Sequence, residues 1–476
     1  MFRSRALLLV CSFALGIPAN AQAQTQDVPL ARILVDFFTE AVRMTSGTGS
    51  PGNPHEVHFL PGLSQQAAPF ELQKALVTQL STFPLGTSSG GFTYTLDPST
   101  GAITPGSPSF GPSFAERALT IGRGKVNAGV QYQHVAYDSF EDVPLAGEQI
   151  AFILQHNDCC PAGANNPTAA GNTLPFFEGD LVETRLSLNV KTDTTVAFAN
   201  VGITNDLEVG VAVPIVRTDL QVGGRSTILR VSTADPSQAL IHSWDGAGAT
   251  VKNLPVRGGS ASGIGDVLVR GKYAFVPGAL AAEVDFRLPT GDEEQLLGTG
   301  GLQTRVMLIA GASRYSFAPH VNIGYVFANG SVSSDVTDLH VPDVVGGPAI
   351  ANISDPNIDL SVPDEIMYTG GFDWSASRRV TFAADMIGRT LRNMTRFETS
   401  DSSFPFRTSD AAPVQTTRRS QLNITGRKNL NLLLGAVGAK INVATNLLLT
   451  ANVLFPLSDG GLRPKITPVV GLDYAF

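Results

Sequence analysis

Apolar and polar residues alternate with period two along most of this chain, and the connections between the alternating segments fall into two lengths. Leu280, Ala282, Val284, Phe286 and Leu288 alternate with Ala281, Glu283, Asp285 and Arg287. Val321, Ile323, Tyr325 and Phe327 alternate with His320, Asn322 and Gly324, and Leu447, Leu449, Ala451, Val453 and Phe455 do the same against Thr450 and Asn452. Period two gives a sheet with one apolar and one wet face. Strands are expected near 119–137, 181–202, 206–222, 263–276, 279–289, 301–315, 317–330, 364–375, 379–393, 425–442, 446–457 and 465–476. Tight connections at Ile203–Asn205, Pro277–Gly278, Ser316, Ala376–Arg378 and Val443–Thr445 alternate with mostly long ones at 138–180, 223–262, 289–300, 331–363 and 394–424, with a short one at 458–464. A soluble sandwich also alternates, but it has no reason to sort its loops in this way. Outer-membrane barrels do: short turns lie on the periplasmic side and long loops outside the cell. The expected fold is therefore all-β, a membrane-spanning antiparallel up-and-down β-barrel of about twelve strands. An even count returns both ends of the wall to the periplasm.

Composition agrees with this. Gly (48) and Pro (30) are frequent and charged residues make up only 16%, which suits short strands and turns better than a helical bundle. The formal charge of −8 carries no basic block, so no nucleic-acid partner and no polybasic membrane patch is expected. At the N-terminus Arg3 and Arg5, the apolar run Ala6 to Ile17 and Ala21-Gln22-Ala23 read as a signal peptide over residues 1–23. That run is too short to span a bilayer, which takes ~20 apolar residues.

In the final segment Ile466, Val470, Leu472, Tyr474 and Phe476 share one face, with Pro468 among them. Tyr474 and Phe476 are expected to form the signal read by the bacterial barrel-assembly machinery. Tyr273, Phe275, Phe317, Tyr325, Phe327, Trp374 and Phe455 join Tyr474 as candidates for aromatic girdles at the lipid interface. Residues 24–118 form a small mixed segment ahead of the wall (119–476). It has helical spacing over Leu30 to Val42 and Phe70 to Leu80, and a small hairpin around Asp97-Pro98-Ser99-Thr100-Gly101. It is expected either to plug the lumen or to sit in the periplasm.

The polar face of the wall supplies the candidate lumen-lining residues: Lys125, Gln131, Arg185, Lys191, Asp193, Arg270, Lys272, Glu283, Asp285, Arg287, Asn322, Asp385 and Asn452. If Phe275 pairs with Leu280, Lys272 faces Glu283 and Arg270 faces Asp285 in a charge ladder. That ladder either selects solutes or simply fills the lumen. The histidines (His55, His58, His134, His156, His242, His320 and His340) accompany no nucleophile motif, so no enzyme is expected. No metal or other cofactor is expected either: His55-x-x-His58 lacks further ligands, Asp292-Glu293-Glu294 lacks dedicated calcium spacing, and Cys159-Cys160 lacks zinc spacing.

Gly263-Ile264-Gly265-Asp266-Val267, the strand Arg270 to Phe275, Arg287-Leu288-Pro289-Thr290-Gly291-Asp292-Glu293-Glu294 and Leu297-Gly298-Thr299-Gly300 are the most distinctive runs. They resemble the outer-membrane transporter family associated with the meta-pathway of phenol degradation. Phe83 to Phe92 and Phe114 to Thr120 resemble chains grouped with it. The resemblance implies a monomeric barrel in outer-membrane lipid that passes small hydrophobic or aromatic compounds passively. The alternative is a closed structural or surface-binding barrel that acts through its long loops.

Overall fold

A computed structural model describes residues 29–44, 59, 68–81, 92–96, 103–105, 107, 109–156, 176–329, 362–444 and 446–476. The sequence features at His55, His58, Cys159, Cys160 and His340, and the signal peptide, lie outside these residues. The wall consists of β1 (Val126–Phe140), β2 (Leu181–Gly202), β3 (Leu207–Leu229), β4 (Leu268–Val276), β5 (Leu280–Arg287) and β6 (Leu302–Gly311), followed by β7 (Phe317–Asn329), β8 (Glu365–Ser377), β9 (Val380–Phe406), β10 (Gln415–Ala444), β11 (Leu447–Pro456) and β12 (Thr467–Ala475). Each strand pairs antiparallel with the next in sequence, and β12 returns to β1. At that seam Val470 lies opposite Tyr132, Leu472 opposite Val130 and Tyr474 opposite Ala128. The result is a closed up-and-down barrel of twelve strands, as the loop sorting predicts.

Exposure across the wall is the reverse of a soluble protein's. Val321 (59% exposed), Ile323 (56%) and Phe327 (55%) face outward, while Lys272 and Glu283 are each 1% exposed. An outward apolar belt around a polar, filled interior is the arrangement a bilayer demands, because closure leaves no unpaired strand edge in lipid. Aromatic pairs mark its margins: Tyr273–Phe275 with ring centroids 5.1 Å apart, Trp374–Phe382 at 6.0 Å, and Tyr325–Phe327 and Tyr474–Phe476 both at 4.7 Å.

Several elements are longer than the alternation suggests. β9 and β10 run on to Phe406 and back from Gln415, so the connection expected at 394–424 is largely a tall hairpin. The connection expected at 223–262 holds the end of β3 and the strand Val251–Ile264 paired with it. Polar residues on both faces, such as Ser400, Asp401, Ser402 and Ser403, hide these extensions from a pattern built on apolar alternation. The wall also begins later than expected. Residues 119–125 are irregular, and the first strand starts at Val126.

Ahead of the wall stand α1 (Ile33–Ala41), α2 (Ala68–Ser81) and a hairpin pairing Tyr94–Leu96 with Ile103–Pro105. The helices pack inside the loop end of the barrel. Ile33, Leu34 and Leu76 meet Leu188, Val190, Leu220 and Val222 of β2 and β3, and Phe38 meets Phe152 edge to face at 5.2 Å. Polar ties hold them there: the Thr395 hydroxyl donates to Glu71 at 2.6 Å, and the Leu462 amide donates to the Gln79 side chain at 2.6 Å.

Candidate functional site in the barrel lumen

Residues 109–121 cross the inside of the barrel near the end that carries the tight turns. Gly111, with a positive φ, and Pro112 keep this stretch out of regular structure, so its backbone groups find partners on the wall. Ser113 and Phe114 amides donate to Asp385 of β9 at 3.2 and 3.1 Å, and the Ser113 hydroxyl donates to Asn452 of β11 at 2.7 Å. Lys440 of β10 donates to the carbonyl of Pro112 at 2.6 Å, and Asn322 of β7 donates to that of Glu116 at 3.1 Å. Farther along, the Gly278 amide donates to the Ala118 carbonyl at 2.7 Å and the Ile121 amide to Glu208 of β3 at 2.8 Å. The segment is a strap tied to both sides of the lumen. Where it leaves the barrel it passes Gly202; a side chain there would overlap the Gly122 carbonyl.

Glu116 is the centre of the charges inside. Its carboxylate accepts from Arg270 at 3.0 Å and from Lys272 at 3.2 Å, and Lys272 also meets Glu208 at 3.0 Å. On β6, Arg305 pairs with Glu283 at 3.0 Å and with Asp285. The register expected for β4 and β5 is present, with Lys272 opposite Glu283 and Arg270 opposite Asp285. Beside the turn it shifts. Leu280 lies opposite Val276 rather than Phe275, which sits at a bulge. The ladder's principal contacts are also not those expected: Lys272 and Arg270 lean toward Glu116 and Glu208, while Glu283 and Asp285 are claimed by Arg305. Four acids (Glu116, Glu208, Glu283 and Asp285) and three bases (Arg270, Lys272 and Arg305), all buried except the half-buried Arg305, satisfy one another best in a connected network.

A second cluster surrounds His320 of β7, whose ring lies 2.7 Å from Asp385 and 3.5 Å from Asp373. Asp385 thereby ties His320 to the strap. Arg389 and Glu365 form a third pair, two-pronged at 3.0 and 2.6 Å.

Of the residues nominated from sequence, Gln131, Arg270, Lys272, Glu283, Asp285, Asn322, Asp385 and Asn452 are buried on the inner face, and Arg287 lines the central cavity. Lys125 sits in the turn before β1, bonded through its backbone to Gly202 and Gly122. Arg185, Lys191 and Asp193 correct the expectation, because they point outward. Inside β2 it is the apolar set (Leu186, Leu188, Val190 and Val196) that is buried, and the first three pack in the core that contains the helices. A lumen-facing polar side would put that strand's apolar residues on lipid, but here the barrel encloses helices and is apolar within. The outward charges form a collar above the belt. Asp193 accepts from Tyr132 and pairs with His134 at 2.7 Å, and Arg185 pairs with Glu183 at 2.8 Å.

Glu208, Arg305, Glu365, Asp373 and Lys440 were not nominated, although each occupies the polar slot of an alternating strand and the same period would have found them. Glu116 had no such signal, since it lies in irregular chain. Among the described residues no group of three or more His, Cys, Asp or Glu side chains is placed to hold a metal ion.

Above the strap lies a cavity of about 180 Å³. Phe114, Ala115 and Glu116 of the strap border it on one side, and Leu80 of α2 with Leu296 and Leu297 on another. Val196, Ala212, Pro214 and Leu268 give it an apolar part; Asp285, Arg287, Arg305, Glu365 and Arg389 give it a charged one. The connection bearing Leu296 and Leu297 is held by Asp266. That carboxylate accepts from the Gly291 amide at 3.1 Å, the Thr299 amide at 2.9 Å and the Thr299 hydroxyl at 2.7 Å. A side chain on Gly291 would come within 2.8 Å of the Gly298 Cα atom, so both glycines are required for this close approach. The Gly-x-Gly-Asp and Pro-Thr-Gly-Asp runs of the sequence thus build one wall of the cavity.

Residues 164–343 match the family model described as "Putative MetA-pathway of phenol degradation". This is the family that the Asp266 and Gly291 runs resemble, and the match covers less than half of the chain. No curated protein matches the sequence. Among solved structures the chain is similar to the CymD monoaromatic hydrocarbon channel, with 11% identity over 75% of this chain and 89% of that one, at a TM-score of 0.31. It is also similar to a FadL homologue of Pseudomonas aeruginosa (10% identity, 82% and 96% covered, TM-score 0.31) and to the Ralstonia pickettii toluene transporter TbuX (10% identity, 75% and 90% covered, TM-score 0.25).

Proposed function

We propose that this barrel, which carries the phenol-degradation family's signature in its middle strands, is a passive outer-membrane channel for small hydrophobic or aromatic compounds. The observation that carries the reading is the central cavity between the helices at the loop end and the strap at the turn end. An enclosed apolar cavity of ~150 Å³ takes up one benzene ring, so a space of about 180 Å³ suits one ring-sized solute. In this reading residues 109–121 are the plug, and solute passes when the strap shifts. The ties from Ser113 to Asn452, from Asn322 to the Glu116 carbonyl and from Gly278 to the Ala118 carbonyl join neutral groups, net ~0.5–1.5 kcal/mol each. Those through Asp385, Lys440, Glu208 and Glu116 are charged and stronger, so a shift frees part of the strap and leaves the charged ties in place. The barrel works as a monomer, inserted in the membrane by the assembly machinery that reads Tyr474 and Phe476.

The rival reading is a closed barrel acting through its outer loops, and the density of strap contacts favours it. Uptake of a single-ring aromatic into proteoliposomes separates the two. Uptake above protein-free vesicles supports a channel. A barrel that admits nothing, even with residues 109–121 removed, would overturn it.

A further inference from the structure

The charged part of the cavity is nearly all internally paired, and one residue stands apart. Asp285 is matched by Arg305, Glu365 by Arg389, Glu116 by Arg270 and Lys272, and Asp266 accepts three hydrogen bonds from Gly291 and Thr299 of the connection after β5. Arg287, at the end of β5, borders the same space. The carboxylates of Asp266 and Glu365 act on its charge at longer range, but no hydrogen bond or ion pair within 4 Å ties its guanidinium to a described residue. A guanidinium in a secluded, half-apolar cavity is costly unless an anion joins it. A neutral hydrocarbon entering the cavity would strip water from that cation and return nothing. A carboxylate matches its planar fork with two parallel hydrogen bonds.

We infer that the cavity is a binding site for a single-ring aromatic carboxylate, with the ring against Val196, Ala212 and Leu268 and the carboxylate on Arg287. The inference rests on the channel reading and narrows its solute to an aromatic acid. Arg287 acts as the specificity-determining residue, because the other cations of the lining are already committed to carboxylates of the chain.

The test compares benzoate with toluene, a neutral molecule of similar size, on the purified full chain in detergent, by calorimetry or saturation-transfer NMR. Wild-type protein is expected to bind benzoate more tightly than toluene, and added salt is expected to weaken only benzoate. R287Q is expected to bind benzoate about 10- to 100-fold more weakly, the worth of a hydrogen bond to a charged group, with toluene binding kept. Retained toluene binding also reports that the variant is folded; if R287Q does not fold, the wild-type comparison and its salt dependence decide alone. Equal affinity for the two probes, or benzoate binding unchanged in R287Q, overturns the inference and leaves the channel reading intact. Binding of neither probe also overturns it, and liposome uptake then judges the channel reading separately.

Discussion

Glu116 and Lys272 lie 3.2 Å apart across 156 positions of sequence, one on an irregular strap and the other on a wall strand, both buried. This contact joins the inside of the barrel to its wall. Removing one partner from a buried, paired network typically costs ~3–5 kcal/mol, because the other charges stay behind uncompensated. E116A is therefore expected to lower the temperature at which the folded barrel converts to the unfolded form on an electrophoretic gel. It is also expected to raise single-channel conductance in planar bilayers. E116Q, which keeps the shape and some hydrogen bonds, should fall between. An unchanged conductance in E116A would mean that the strap does not gate the lumen.

The Ser113 hydroxyl and Asn452 side chain meet at 2.7 Å, close enough to propose a covalent lock. In the double variant S113C/N452C, oxidation is expected to reduce aromatic uptake several-fold and a thiol reductant to restore it. Uptake that is indifferent to the redox state would show that solute does not need the strap to move.

Asp180 organises the outer loop after β3. Fully buried, it accepts from the Ser232 amide at 2.8 Å, the Thr233 amide at 3.1 Å, the Thr233 hydroxyl, and His242 at 2.8 Å. D180A leaves these donors without an acceptor, at ~1–3 kcal/mol for each neutral group. Limited proteolysis is expected to nick residues 230–250 in the variant while the membrane-embedded wall stays protected. Equal resistance of wild type and variant would remove Asp180 from that role.

Asp245, exposed in the same loop, accepts from the Ala249 and Ala247 amides and from the Ser243 hydroxyl. These bonds, the two amides foremost, pull its carboxyl down from 3.8 to about 2. The folded pKa is depressed, so the ordering it confers is complete above 3.8 and is lost as pH falls through about 2. An NMR titration should find the Ala247 and Ala249 amide shifts flat from pH 7 to 4 and moving only near the lower value. In D245N those shifts should differ already at neutral pH.

Phe476 donates its amide to the Val126 carbonyl at 2.8 Å and packs on Tyr474. F476A is expected to reach the membrane in lower amount in cells, while refolding in detergent from the denatured chain changes little. A parallel loss in both would mean that the residue stabilises the seam rather than being read by the assembly machinery.

The wall was legible because lipid and strand geometry impose one rule on every segment. Outward residues such as Val321 and Ile323 must be apolar, and the turn at Pro277–Gly278 must be short. The pairing of Lys272 with Glu283 follows from counting back from that turn. The rule fails for β2, where Leu188 and Val190 face helices inside and Lys191 faces water outside, because alternation tells that two faces differ but not which is inward. The lumen was less legible still. Glu116 acquires meaning only from Arg270 and Lys272, which lie far along the chain and are brought near by closure. Asp266 and Gly291 stood out as a motif, yet nothing in their spacing says that one carboxylate holds the other's loop.

The strap runs directly into β1, and β1 is the strand that β12 must meet to close the wall. Its partners, Asp385, Asn452, Lys440 and Arg270, belong to strands all round the circumference. Once the wall is shut, threading the strap and its helices through it would mean dragging charged groups past one another in a confined space. The seam therefore sets an order of assembly. The open sheet must curl around the strap, with Glu116 and its partners already neutralising one another, and the zipping of β12 onto β1 then seals them in. A chain whose strap cannot find its partners would be expected to stall before that final step, as an unclosed sheet left to the cell's quality control.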